Sequence, residues 1–93
     1  MNNNYILEVK KKRLLFIDEF EKNIENIYDE IIKAKNDNKL SSIRVHKYLT
    51  ASGTLGKVKT ARYLDEIGLD EQTIFKNLKE ADIKKLVKYV NEQ

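Results

Sequence analysis

The chain has no proline, and its three glycines, Gly53, Gly56 and Gly68, all fall between residues 53 and 68. Proline and glycine are the residues that end helices and form tight turns. Long stretches on either side of that window are therefore free of breakers. They are rich in Leu, Ile, Lys and Glu, with few β-branched runs, a composition that favours helix. An all-α fold is expected, with its sharpest reversal just before residue 57. At 93 residues the chain is sized for one domain.

From 12 to 35, Phe16, Phe20, Ile24, Ile27, Tyr28 and Ile31 recur at helical spacing and form one apolar stripe on one long helix. Asp18, Glu19, Glu21, Lys22, Glu25, Asp29, Glu30 and Lys33 make its wet side. Asn36-Asp37-Asn38 competes for backbone hydrogen bonds and should end it. Ser41 or Ser42 is placed to cap a short helix that buries Val45, Tyr48 and Leu49. After the turn, a helix starting near Gly56 shows Val58, Ala61, Leu64 and Ile67 at three-residue spacing, with Gly68 at its left-handed end. Asp70 is set to cap a brief turn carrying Ile74 and Leu78. A last helix over about 79–91 buries Ile83, Leu86, Val87 and Val90. The expected architecture is a long N-terminal helix (1–40) plus a compact module of three short helices (41–93), in one compact domain. The first stripe could also seed a coiled-coil dimer, but it lasts only about three turns. Packing against the chain's own short helices, in a monomer, is the expectation.

Several function classes are disfavoured by composition. There is no cysteine, so no disulfide, thiolate metal site or thiol nucleophile. The single histidine, His46, has no second histidine with which to share a metal. Carboxylates alternate with lysines on helix surfaces, as solvated faces do, and no catalytic constellation is present. No cofactor is expected. The start of the chain has no signal-peptide pattern, and no apolar run approaches the roughly 20 residues of a membrane span. A cytoplasmic protein without membrane contact is expected.

Net charge is only +3, but its distribution is uneven. Residues 1–40 carry eight basic and eight acidic side chains. Residues 63–93 carry five basic and seven acidic ones. Between them, residues 41–62 hold Arg44, Lys47, Lys57, Lys59 and Arg62 and no acid. The whole positive excess lies in that one stretch, the kind of local field that a polyanion feels.

The same stretch contains Gly53-Thr54-Leu55-Gly56-Lys57-Val58-Lys59. A glycine turn leading into a helix offers N–H groups without intrahelical partners, at the positive end of the helix dipole. Both favour a phosphate oxygen. Glycine at 56 lets a sugar-phosphate backbone come close, and Lys57, Lys59 and Arg62 add charge nearby. GTLGK is not a nucleotide-binding P-loop: the first glycine is misplaced and no Ser/Thr follows the lysine. The Lys10-Lys11-Lys12-Arg13 run precedes an acidic stretch and is expected to be secondary.

The longer run VHKYLTASGTLGKVKTARYLDEIGL resembles the helix–two-turns–helix module, through Gly56, Lys57, Val58, Ala61, Leu64, Ile67, Gly68 and Leu69. The likeness continues through Phe75-Lys76-Asn77-Leu78 and Ile83-Lys84-Lys85-Leu86, covering about residues 40–90. Two families share this pattern: the actinobacterial-type integration host factor and a small-subunit ribosomal protein that binds the head of the subunit. Ile43-Arg44-Val45 leading the module, and an ending at Asn91-Glu92-Gln93 without a basic tail, resemble the first. That resemblance implies a non-enzymatic bacterial protein of the nucleoid or of phage recombination. It would bind double-stranded DNA through phosphates with little sequence preference. The implied DNA-contacting residues are Arg44, Lys47, Gly53, Thr54, Leu55, Gly56, Lys57, Val58, Lys59, Arg62 and Lys76. Two departures stand out. The first glycine lies one position earlier than in the family's P-G-V-G-K turn, so Thr54 would offer phosphate a hydroxyl. Of the family's arginine-rich stretch only Lys76 keeps a basic position. The alternative readings are an RNA- or ribosome-associated module and a protein-interaction adaptor in which the module is only scaffold.

Overall fold

Nineteen apolar side chains, from Phe16 near the start to Val90 near the end, pack into one buried cluster. The computed structural model describes residues 3–93. In chain order the elements are α1 (Asn3–Asp18), a 3-10 turn (Glu21–Asn26), α2 (Ile27–Asn36), α3 (Val45–Thr50), α4 (Lys57–Glu66), a second 3-10 turn (Phe75–Asn77) and α5 (Glu80–Asn91). The fold is all-α, and an isolated bridge between Arg44 and Ile74 is its strand-like pairing among the described residues.

The expected single helix over 12–35 is instead two helices broken at 19–26. No proline or glycine causes the break; packing does. Phe16 and Phe20 before it and Ile27 and Ile31 after it are all buried in the same cluster. On a straight helix the first and last of these would stand some 22 Å apart at about 1.5 Å per residue. Asn23 and Asn26, weak helix formers, lie in the break, and Asn23 donates to Glu30 at 3.3 Å. The stripe is used within the chain, as expected, except that Tyr28 stays exposed.

Tyr48 sits at the centre of the cluster. Its ring stacks on Phe16 with centroids 4.3 Å apart, and it meets Phe20 and Phe75 edge-on. Among the described residues its hydroxyl has no hydrogen-bond partner. Burial, with a smaller contribution from nearby Glu30, pushes the phenol well above its usual pKa, so it stays protonated. A buried hydroxyl without a partner carries a desolvation cost. Tyr48→Phe is therefore expected to leave stability unchanged or raise it by up to about 1 kcal/mol in urea unfolding. A loss larger than that would mean that the hydroxyl is satisfied by an ordered water.

The later helices follow their sequence signals with two exceptions. Neither Ser41 nor Ser42 caps α3; Arg44 is its N-terminal neighbour and no side chain caps it. The reason is backbone pairing across the bridge, where Val45 N–H donates to Thr73 at 2.9 Å and Phe75 N–H to Ile43 at 3.2 Å. On α4 the buried side is Thr60 and Leu64, while Val58 is 71% exposed. A three-residue spacing drifts by about 60° per step on a helix, so Val58 lies half a turn away from Ile67. Thr60 instead shares a buried hydrogen bond with the Tyr89 hydroxyl at 2.9 Å, beside the stacked Tyr63 and Tyr89 rings. Gly68, at φ 84°, closes α4 as expected: Leu69 N–H reaches Leu64 O at 2.8 Å and Gly68 N–H reaches Asp65 O at 3.1 Å. This is the two-bond pattern of a Schellman end. Asp70 accepts from Gln72 N–H at 2.8 Å and from the Thr73 hydroxyl at 3.3 Å, organising the turn before Ile74.

Candidate nucleic-acid interface

The turn from α3 to α4 is held from inside. Gly53 has φ 83°, a left-handed conformation that favours glycine, and its N–H donates to Thr50 O at 3.1 Å. Leu55 is buried, pinning the turn to the core. Its side chain therefore faces away from any ligand, and only its backbone remains for contact.

Gly56 differs from the other two glycines. Its φ of −70° and ψ of 140° are open to any residue, so the backbone does not require glycine there. It precedes the ten-residue α4, whose start has no side-chain cap. The first amide of the regular ladder is that of Thr60, bonded to Gly56 O at 3.0 Å. A Cβ built at 56 would have only Lys59 Cβ nearby, at 4.0 Å. The approach to the α4 tip is open on that side, with exposed Lys57 and Val58 beside it.

The cations of 41–62 do not converge on one point. The carbonyl of Lys57 is bonded to His46 Nε2 of α3 at 2.9 Å. Lys59 is drawn the other way, its ammonium donating to the Gln93 side chain at 2.7 Å. Arg62 is exposed. Lys76 is exposed as well, and its amide donates to Ser41 O at 3.0 Å, which places it by the bridge rather than at the turn. Thr54 is not free for phosphate: its hydroxyl donates to Glu21 of the first 3-10 turn. An acid thus stands beside the glycine turn although none lies near it in sequence.

Arg44 and Lys47 belong to a different surface. They line a groove of about 460 Å³ together with Lys10 and Arg13 of α1. Leu14, Ile17 and Ile43 give it an apolar floor, and no acidic residue lines it. Arg13 is held in place by neutral acceptors, with Nε donating to Lys39 O at 2.7 Å and a terminal nitrogen to Ser42 Oγ. Lys12, the neighbour in sequence, is used otherwise. Its ammonium pairs with Asp37 and, with the Lys39 amide, holds that carboxyl below the usual range. From sequence the 10–13 run is expected to be secondary, whereas the fold brings its Lys10 and Arg13 to one groove with Arg44 and Lys47. The signal was present, since Lys10, Arg13, Leu14 and Ile17 stand at i, i+3, i+4 and i+7, one face of a helix.

Among the described residues, no three His, Cys, Asp or Glu side chains gather as a metal site would require. No described helix is long and apolar enough to cross a membrane. Set against protein-family models, curated proteins and solved structures, the chain matches none of them.

Proposed function

We propose that this chain is a non-enzymatic protein that binds double-stranded DNA through its phosphates, with little sequence preference. It would serve in nucleoid organisation or as an accessory to recombination, in keeping with the helix–two-turns–helix resemblance of residues 40–90. The observation that carries the reading is Gly56. Its backbone conformation does not require glycine, yet it opens the uncapped start of α4 in the acid-free basic stretch 41–62. Amide donors and the helix dipole at such an end favour a phosphate oxygen. Lys57 adds charge at the tip, and the exposed Val58 offers an aliphatic surface to a deoxyribose. Lys59 and Arg62, three apart, share the next face of α4.

The test is the salt dependence of duplex binding, followed by fluorescence anisotropy. Three to five phosphate contacts imply a slope of log K against log salt of about −3 to −5. Neutralising Lys57, Lys59 and Arg62 to glutamine is expected to weaken binding about tenfold or more at moderate salt and to flatten the slope. A slope near zero, strong discrimination between unrelated duplexes, or a clear preference for structured RNA would sink the proposal.

A further inference from the structure

We infer that the groove between α1 and α3 is a second seat for the DNA backbone, with Lys10 and Arg13 joining Arg44 and Lys47 in holding it. The inference rests on the duplex-binding reading above and extends it to a surface of α1. Four cations surround the groove without a lining carboxylate. The ion pairs among the described residues engage Lys12, Lys33 and Lys88 and leave these four uncompensated. Arg13 spends two donors on a carbonyl and a hydroxyl, which fixes its guanidinium without neutralising it. A fixed guanidinium flanked by lysines suits an oxyanion, because charge-assisted bonds to phosphate or carboxylate are short and strong. Along a nucleic-acid backbone that anion is phosphate.

The floor narrows the choice of ligand. Leu14, Ile17 and Ile43 present aliphatic surface, with Leu14 mostly exposed. A sugar packs on such a surface, whereas a free nucleotide base is held by stacking on an aromatic ring, and none lines the groove. A continuous sugar-phosphate backbone fits both the rim and the floor.

Position relative to the α4 tip supplies the second argument. Arg44 and Lys47 face the groove, whereas His46 lies about 100° around α3 from Lys47 and reaches the Lys57 carbonyl at 2.9 Å. The two surfaces therefore flank the same short helix. The width of a helix with its side chains, about 10–12 Å, is close to the roughly 12 Å width of the major groove of B-DNA. One strand can rest on the α4 tip while the opposite strand lies in the α1–α3 groove, with α3 between them. Lys10 and Arg13 of the basic run then belong to the same footprint as the glycine turn, while Lys12 stays paired with Asp37.

The test uses the full chain with Lys10→Gln and Lys47→Gln combined, both residues being exposed. A Lys84→Gln/Lys85→Gln pair on α5 serves as the charge-matched control, and far-UV circular dichroism checks that both fold. Removing two phosphate contacts should make the duplex salt slope shallower by about 2 and lower affinity roughly tenfold near physiological salt. The control should leave the slope in place. If wild type binds duplex and the groove variant keeps the wild-type slope, the groove is not a backbone seat and the proposed function stands without it. If wild type fails to bind duplex at all, both readings fall. Poly-L-glutamate is the remaining probe. If the groove variant loses affinity for it but not for duplex, the groove takes an acidic peptide and the inference is overturned.

Discussion

Phe20→Ala is expected to destabilise the fold by about 3–5 kcal/mol, the range for truncating a fully buried phenylalanine. Phe20 has no exposed surface and presents its ring edge-on to Tyr48 at 5.1 Å. It lies where α1 ends and the first 3-10 turn begins, so its pocket is formed jointly by the N-terminal segment and the module. Backbone relaxation there would have to move both. A domain of this size has about 5–14 kcal/mol of total stability at 0.05–0.15 kcal/mol per residue. One truncation would thus remove about a fifth of it or more. Urea unfolding followed by far-UV circular dichroism measures the effect. Leu15→Ala is the control, since Leu15 is 58% exposed and should change stability by no more than about 0.5 kcal/mol. A Phe20→Ala loss below about 1 kcal/mol would mean that residues 1–40 are an appendage and that the module carries the core alone.

Local rules read well where one residue decides the geometry. Gly68 announced the end of α4 because a left-handed residue was needed there, and Asp70 announced a turn because its carboxylate competes for nearby amides. The final helix was legible because Ile83, Leu86 and Val90 follow a true helical period. The break at 19–26 was not, because no breaker residue marks it. It exists so that Phe16 and Ile31 reach one core, and only the folded chain carries that requirement. The site divides in the same way. The glycine turn and the 41–62 charge block were visible as adjacent residues. The Thr54–Glu21 bond and the groove joining Lys10 to Lys47 link positions more than thirty apart, beyond any local pattern. Val58 shows the opposite error, where an apparent three-residue period placed an exposed valine in the core.

Gly56→Asp is expected to strengthen the fold and to disable the interface in one step. The backbone at 56 is extended and the space for a Cβ is ordinary, so aspartate enters without strain. It would stand at the N-cap of α4 and accept from the otherwise uncapped amides of Val58 or Lys59. Aspartate is a better cap than glycine by a few tenths of a kcal/mol, and its charge at the positive helix end adds roughly as much again. Stability should rise by about 0.5–1 kcal/mol. Under the proposed function, the same carboxylate would occupy the amide donors that seat a phosphate and repel it. The loss of a charge-assisted contact, about 2 kcal/mol, corresponds to roughly thirtyfold weaker duplex binding. Gly56→Ser separates the two causes, because serine caps equally well without charge. It should gain the capping part of the stability and lose about threefold in affinity. Thermal unfolding and duplex anisotropy on the same samples give both readouts. Should Gly56→Asp gain stability yet bind duplex as the wild type does, the α4 tip is an ordinary helix start. The α1–α3 groove would then have to carry the contact alone.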